Sequence, residues 1–511
     1  MEEMENQTMS EETMSEQTKS GTKSRRPNVF GWLLVAAEVI VMAAFGYLLL
    51  KLDLLPKKQL LGVMAIMGIL LLFSVLSQIF RHGRAVGKIY TLLVLVIFGM
   101  GSFYLFRTNA AFASIQKQTT TVVSRISLVV MKDTDYVSMS DVSDCTFGLQ
   151  ENVDTENINQ AVRTLQSQYG KSVQSQTFEN YEAAAEALYN GEIEVMALNE
   201  AYRDTLLDTY PTFTDDTRTL TEFTYEREVK VETNETVVET GEPFVVFLSG
   251  NDSYGTVSTE NGRTDVNILA VVNPSTKQVL LVTTPRDYYI DLPVGDYYYK
   301  DKLTHAGIYG IDVSERVLSE LYDVDINYYV RINFSGFSSI VDALGGVTVH
   351  SDYNFTDVSG AYTFVVGDNY VDGDAALAFV RERYAFSDGD YQRGRNQMYM
   401  IQAIINKVTS PAILTSYLNL LDSLSDCFVT DVPTSKITEL VKMQLADNAE
   451  WSIENYETKG YGNMLPTYSQ GGAYASVQEI NQESVDEAKA LIQKVLNGES
   501  LADTTSSSDN E

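Results

Sequence analysis

Apolar residues are spread along this chain in two different ways. Residues 29–50 (VFGWLLVAAEVIVMAAFGYLLL), 60–80 (LLGVMAIMGILLLFSVLSQIF) and 89–106 (IYTLLVLVIFGMGSFYLF) are nearly continuous apolar runs. Each is close to the ~20 residues a helix needs to cross a bilayer, so three transmembrane helices are predicted over 29–107. Past residue 107 the runs shorten. Between 111 and 227, strand-like segments (ISLVVM, CTFGLQ, IEVMALN) alternate with helical ones (NINQAVRTLQSQYG, NYEAAAEALYNG), which predicts a small α/β accessory domain. The polar stretch 225–243 reads as a strand or linker leaving it. From 244 to 497 the strands FVVFLSG, DVNILAVVN and QVLLVTTP and the helices VSERVLSELYD and NFSGFSSIVDALGG predict a second α/β domain with a central sheet flanked by helices. The fold class is therefore α/β behind three N-terminal membrane helices. The polar ends, 1–28 and 498–511, read as disordered tails.

Within the second domain, DVNILAVVN and QVLLVTTPRD flank the turn signal NPSTK and read as a β-hairpin. Symmetry about the bond between Ser275 and Thr276 sets Asp265 opposite Arg286 at the open end. Arg263 joins that cluster, and Asp252 in the turn SGNDSYG can approach it from the preceding strand. Two carboxylates beside arginines are what a magnesium-diphosphate site requires, because Mg²⁺ takes one or two carboxylates plus phosphate oxygens. Asp252 alone reads equally as a turn former. Asp265 divides evenly between metal ligation and an ion pair with Arg263 or Arg286.

A second cluster lies at 381–397, RERYAFSDGDYQRGRNQ, with Arg381, Arg383, Arg393 and Arg395 close together. Guanidiniums repel one another unless anions lie between them, and their planar forks match phosphate oxygens two at a time. Any one of these arginines reads as a surface partner of Glu382, Asp388 or Asp390; the set together predicts a phosphate or diphosphate ligand. GDYQRGRNQMYMIQAIINKV reads as a helix capped by Asp388 or Asp390, with Met400, Ile401, Ile404 and Ile405 on its apolar face. Arg393 and Gln397 then share one face near the helix start, where free N–H groups add positive potential. DGDAALAFV, which delivers Arg381 and Arg383, reads as a short helix or a strand; extended, it would put both on one face.

Composition narrows the function. The chain has 511 residues, too many for one compact core, and a formal net charge of -32, which argues against nucleic acid as a partner. Zinc chemistry is disfavoured by the cysteines, Cys145 and Cys427, without a C-x-x-C pair, and by the presence of only His82, His305 and His350. Free buried thiols are expected. No Walker-type G-x-x-x-x-G-K loop is present. The first span is too long for a signal-peptide core and lacks a small-residue cleavage site, so it is expected to be retained. Lys19, Lys23, Arg25, Arg26, Arg81, Arg84 and Lys88 flank one side of the spans, against Lys51, Lys57, Lys58, Arg107 and Lys117 on the other. That bias predicts a cytoplasmic N-terminus and C-terminal domains outside the cell membrane, as in Gram-positive bacteria. Glu38, inside the first span, is a functional candidate, a snorkelling residue or a helix–helix contact.

The blocks GRTDVNILAVVNPSTKQVLLVTTPRDYY, DKLTHAGIYGID, INYYVRINFSGFSSIVDALGGV and ALAFVRERYAFSDGDYQRGRNQ, spanning 262–397, resemble successive signatures of the LytR-CpsA-Psr family. Three spans followed by an accessory domain resemble its capsular-polysaccharide members in particular. The resemblance implies an extracytoplasmic phosphotransferase that moves a glycopolymer, here capsular polysaccharide, from undecaprenyl diphosphate to peptidoglycan. By motif, Asp252 and Asp265 would hold Mg²⁺, and Arg286, Arg381, Arg383 and Arg393 would bind the diphosphate. Arg263, Lys302, Arg331, Asp390, Arg395 and Gln397 would line or support the site. Asp265 or Asp390 would accept the proton of the attacking hydroxyl. Two departures fall near the site: Asn251 where relatives often carry an apolar residue, and Tyr391 where several carry a basic one. The alternatives are a non-enzymatic regulator of capsule assembly, bound to a polymerase or kinase complex, and a lipid pyrophosphatase that uses water in place of a sugar hydroxyl.

Overall fold

The computed structural model describes residues 28–80, 84–116, 120–151, 155–169, 173–229, 238–251 and 261–410, positions 413, 416, 419, 420, 423 and 427, and residues 428–501. Both predicted tails fall mostly outside the described residues, and so does Asp252. The chain divides into two compact units, Met1–Phe106 and Arg107–Glu511.

In the first unit, α1 (Val29–Leu52) and α2 (Lys57–Ile79) are followed by α3, which begins at Arg84 and runs to Gln116. Among the described residues these are the three helices long and apolar enough to span a membrane. At ~1.5 Å per residue even the shortest exceeds the ~30 Å hydrocarbon core. Met42, Met67, Val94 and Phe98 meet inside the bundle, while Leu33, Ile40, Ile69, Leu72 and Ile97 face outward. An apolar outer surface of that extent suits lipid and not water. Glu38 makes a helix–helix contact: it is buried and accepts a hydrogen bond from Ser74 Oγ at 3.0 Å.

The second unit holds both α/β domains. The accessory sheet contains β1 (Thr120–Met131), β2 (Thr146–Gln150), β3 (Gln174–Phe178), β4 (Val195–Asn199) and β5 (Thr217–Val229), in the order β3-β2-β4-β1-β5. Helices α4 (Thr155–Tyr169), α5 (Tyr181–Tyr189) and α6 (Arg203–Thr209) connect the strands, and Ile158, Leu165, Ala184 and Leu188 pack on Leu128, Val130 and Leu198. Asn180 caps α5 by accepting from the Ala183 N–H at 2.7 Å, satisfying a donor the helix leaves open.

The larger domain is built on β6 (Phe244–Asn251), β7 (Val266–Asn273) and β8 (Gln278–Thr283), followed by a hairpin of β9 (Tyr289–Val294) and β10 (Tyr297–Lys302). Next come α7 (Ile311–Tyr322), β11 (Tyr328–Asn333) and α8 (Phe334–Ala343). A small excursion pairs β12 (Val347–Ser351) with a later strand and encloses the two-residue strands β13 (Phe355–Thr356) and β14 (Thr363–Phe364); the partner of β12 is β15 (Gly367–Val371). Helices α9 (Gly373–Arg381) and α10 (Asp390–Thr409) lead to β16 (Phe428–Thr430), α11 (Thr434–Asp447), β17 (Ser452–Glu457), the hairpin β18 (Gly460–Pro466) and β19 (Tyr474–Ile480), and α12 (Gln482–Leu496).

Six strands form the central sheet, in the order β16-β11-β6-β7-β8-β17. Its middle strands are apolar at successive positions because both faces are covered. Val245, Phe247, Leu269 and Val282 pack under α7 and α12 with Val317, Leu318 and Ile492, while Val246, Ile268, Ala270 and Leu281 meet Met398, Ile401 and Ile405 of α10 and Leu440 of α11. The hairpin register Asn273↔Gln278, Val272↔Val279 through Ile268↔Thr283 is symmetric about the Ser275–Thr276 bond. Cys145 and Cys427 form no disulfide, and Cys427 is buried.

One open local reading is decided and one expectation is corrected. Of the two readings of DGDAALAFV, short helix or strand, the helix holds: Asp372 caps α9 by accepting from Ala375 N–H at 3.0 Å, and Ala376 and Phe379 bury one helix face. The helix ends at Arg381, so Arg381 and Arg383 do not share a strand face. The cap of α10 is neither Asp388 nor Asp390 but Gly389, at φ 47°, where a side chain would be strained. Both carboxylates are free of capping and pair with arginines instead.

Candidate active site

The open end of the β7–β8 hairpin, the C-terminal end of β17 and the first turns of α10 converge on one cleft of about 500 Å³ of open space. Asp265, Arg286, Asp287, Asp390, Arg393, Gln397 and Glu457 are among its lining residues. The backbone fixes Asp265 first: its N–H donates to Gly250 O at 2.8 Å, anchoring it beside the end of β6. Thr264 N–H donates to Thr304 O at 2.9 Å and Thr304 N–H to Arg286 O at 2.8 Å, so the Thr304 segment joins the two arms of the hairpin.

Arg286 is the hub. Its Nη1 donates to Asp265 Oδ2 at 2.8 Å, and its Nε lies 3.6 Å from Asp390 and 3.8 Å from Asp287. The other Asp265 oxygen accepts from Thr304 Oγ1 at 3.0 Å and lies 4.0 Å from Arg263 Nε. Burial alone would raise the Asp265 pKa, but the charges of Arg286, Arg263 and Arg393 outweigh it and hold the carboxyl far below the usual range. Burial works against the charged form of Arg286 as well, and the Asp265, Asp287 and Asp390 carboxylates overcome it. Arg393 is different. Burial and the neighbouring charge of Arg286 together lower its pKa, despite Asp390 at 3.4 Å. A second guanidinium beside Arg286 in the same cleft offers positive potential to an anion.

The predicted residues do not all meet here. Arg286, Arg393, Gln397, Asp265 and Asp390 line the cleft. Arg383 reaches Asp390 at 3.7 Å and donates to Tyr384 Oη at 2.6 Å. Arg381 lies over the Phe334 ring, 4.2 Å from its centroid, and is outside the lining set. Lys302 supports Asp287 at 3.4 Å. Arg331 is buried on β11 and does not line the cleft. Arg395 backs the site: it donates to Glu457 Oε2 at 2.9 Å and Gln392 Oε1 at 2.8 Å, and pairs with Asp388. Arg263 turns to the accessory domain, donating to Asp204 O at 3.1 Å and meeting the Asp208 carboxylate of α6 at 3.3 Å.

Sequence reasoning missed Glu457, Asp287 and Asp208. Asp287 adjoins Arg286 in TTPRD and was within reach of the hairpin argument. Glu457 and Asp208 carry no local signal, because tertiary packing alone brings them here. Burial raises the Glu457 pKa more than Arg395 lowers it, leaving it at about 7.

The donor set fits a hard cation as well as an anion. Each Asp265 oxygen accepts one hydrogen bond and keeps a further lone pair, and a Mg²⁺ ion needs only one or two carboxylates beside substrate phosphates. Among the described residues no group of three or more candidate ligands exists.

The LytR_cpsA_psr family profile matches residues 210–493, more than half of the chain, and the chain belongs to that family. A second profile, for a DNA polymerase processivity factor, matches residues 83–198. The chain is 35% identical over 210 residues to a protein of Enterococcus faecalis named polyisoprenyl-teichoic acid–peptidoglycan teichoic acid transferase TagU, covering 41% of this chain and 68% of that protein. It is 35% identical over 226 residues to the protein of the same name in Bacillus cereus, covering 44% and 70%. Among solved structures, Bacillus subtilis TagT aligns with a TM-score of 0.40 at 27% identity, covering 52% of this chain and 96% of that one. Protein gbs0355 of Streptococcus agalactiae aligns with a TM-score of 0.44 at 26% identity, covering 52% and 92%.

Proposed function

We propose that this chain is a membrane-anchored enzyme that transfers a glycopolymer from a polyprenyl-diphosphate carrier to peptidoglycan. The observation that carries the reading is the pair Arg286 and Arg393, two mostly buried guanidiniums lining one cleft and close enough for the charge of Arg286 to lower the pKa of Arg393. The family and the names of the two relatives supply the substrate class. The acceptor is a sugar hydroxyl of peptidoglycan, which attacks the phosphorus next to the glycan. A new P–O bond forms, the bridging P–O bond breaks, and polyprenyl phosphate leaves with the electron pair. Arg286 and Arg393 hold the diphosphate and stabilise charge gathering on its oxygens, the main contribution a protein makes to phosphoryl transfer. Arg383 and Asp390 brace Arg393, while Lys302 braces Asp287.

Magnesium belongs to the proposal: Asp265, with Asp252 from outside the described residues, would hold it, and it would add positive charge to the phosphate oxygens. So does orientation. The charge bias around the spans supports a cytoplasmic N-terminus, with the cleft on the outer side where peptidoglycan lies. Capsular polysaccharide is the polymer proposed, on the resemblance of the span and accessory-domain arrangement; teichoic acid, from the relatives' names, is the comparison substrate.

The test incubates full-length protein with Mg²⁺, labelled undecaprenyl-diphosphate glycan of each polymer type and peptidoglycan, beside Asp265→Ala and Arg381→Ala variants. Label on peptidoglycan with the wild type and its loss with Asp265→Ala is expected. Label left on the lipid in every case, with an active relative as control, would contradict the enzyme reading.

A further inference from the structure

Resting on that transferase reading, the cleft raises a question the family resemblance left open: which group takes the proton of the attacking hydroxyl. Four carboxylates line the cleft, Asp265, Asp287, Asp390 and Glu457. Three of them are committed to the cations that hold phosphate. Asp265 pairs with Arg286 at 2.8 Å and accepts from Thr304 at 3.0 Å. Asp287 is shared by Arg286 at 3.8 Å and Lys302 at 3.4 Å. Asp390 faces Arg286, Arg383 and Arg393 at 3.6, 3.7 and 3.4 Å. Taking a proton at any of these three would loosen the ion pairs that position the arginines just as charge builds on the substrate.

Glu457 is built differently. It ends β17, which lies parallel to β8 with Glu457 paired to Thr283, so the central sheet fixes its backbone. Oε2 accepts from Arg395 at 2.9 Å, and Arg395 is itself held by Gln392 at 2.8 Å and by Asp388. Oε1 is buried and has no hydrogen-bond partner. Across from it stands Gly394, where a Cβ would lie 3.8 Å from Oε1 and 3.4 Å from Thr283. A Cβ there would sit in contact with Oε1, so glycine keeps side-chain atoms of α10 off it.

We propose that Glu457 is the catalytic base of the transfer. Oε1 takes the proton of the acceptor hydroxyl as the O–P bond forms, while the bridging P–O bond breaks and polyprenyl phosphate departs as an anion that needs no proton. The protonated carboxyl then returns its proton to water. Burial, partly offset by Arg395, already places its pKa at about 7, where a base both exists in its free form and holds a proton well. The other charges and titratable groups felt at this carboxyl are Asp388 and Lys459, with the Tyr288, Tyr391 and Tyr399 hydroxyls.

The test measures single-turnover transfer by full-length wild type, Glu457→Gln and Glu457→Asp in proteoliposomes from pH 5.5 to 8.5, together with carrier-lipid affinity and thermal unfolding. Wild-type rate should rise with pH through about 7. Glu457→Gln should lose about 10²–10⁴-fold in rate, keep its lipid affinity, unfold no lower than wild type, and show no acid limb. Glu457→Asp should recover part of the rate with the limb displaced. Glutamine can still accept from Arg395, so a Glu457→Gln rate within a few-fold of wild type would mean that Glu457 merely anchors Arg395, and the assignment fails. A flat wild-type profile would overturn it equally. No transfer by the wild type overturns the underlying function as well; transfer by wild type and Glu457→Gln alike overturns the base alone.

Discussion

Arg286→Ala removes the cation that touches Asp265 at 2.8 Å, Asp390 at 3.6 Å and Asp287 at 3.8 Å. With an effective dielectric of ~20, the closest of these attractions is worth about 6 kcal/mol gross, most of it offset by the desolvation of both ions. Truncation leaves the offset uncompensated, because Asp265 stays buried. The expected cost is about 3–5 kcal/mol of stability. Losing one preorganised donor to the transferred phosphate adds a fall in transfer rate of about 10²–10³-fold. Thermal unfolding of the full chain in detergent reads the first effect and single-turnover transfer the second. A double-mutant cycle with Asp265→Asn separates the pair from its surroundings, since either single change strands its partner and the double change strands neither. The double variant should therefore be less destabilised than the sum of the singles by about 1.5–3 kcal/mol. Additive effects within ~0.5 kcal/mol, with Arg286→Ala transfer near the wild-type rate, would refute the idea that Asp265 and Arg286 act as a unit.

In the accessory domain, burial, joined by the Asp208 and Asp301 charges, pushes the Glu182 pKa from the ordinary 4.5 to about 7. The folded state then keeps a proton that the unfolded chain releases, so stability falls as pH rises between those values; Glu182→Gln should stabilise by about 2–3 kcal/mol at pH 8 and not at all at pH 4, read from unfolding temperatures at the two pH values. Asp208→Ala removes the 3.3 Å partner of Arg263 but leaves its bond to Asp204 O, so a loss of about 0.5–1 kcal/mol and a modest drop in transfer are expected, both shrinking in high salt. Chelation of divalent ions should abolish transfer and Mg²⁺ restore it, while Asp265→Ala should blunt the restoration; undiminished transfer in excess chelator would remove the metal from the account.

Local information carried much of the site. The hairpin symmetry placed Asp265 opposite Arg286 because turn chemistry fixes register and register fixes which residues face each other. The position of Arg393 and Gln397 on one face of α10 followed from helical spacing alone. The same geometry explains what was misread in the arginine cluster. Arg395 lies two residues from Arg393, about 200° around the helix, and cannot join it in the cleft; it supports Glu457 instead. Arg381 ends a helix that the sequence left undecided, and its guanidinium rests on Phe334. Glu457 was invisible because its place depends on the parallel pairing of β17 with β8, two strands far apart in sequence with no turn to announce the contact. Asp208 was invisible for a related reason: packing of the accessory helix α6 against Arg263 leaves no periodic trace in either segment.

The central claim is that the glycan-proximal phosphorus ends on peptidoglycan. It is tested most directly by supplying carrier lipid labelled with radioactive phosphorus at that position and following the label through a single turnover by the full-length protein. The account predicts label in peptidoglycan as a phosphodiester, with one unlabelled polyprenyl phosphate released per transfer. Label recovered as a soluble glycan phosphate would make the protein a hydrolase, and label left on the lipid would make it no transferase at all.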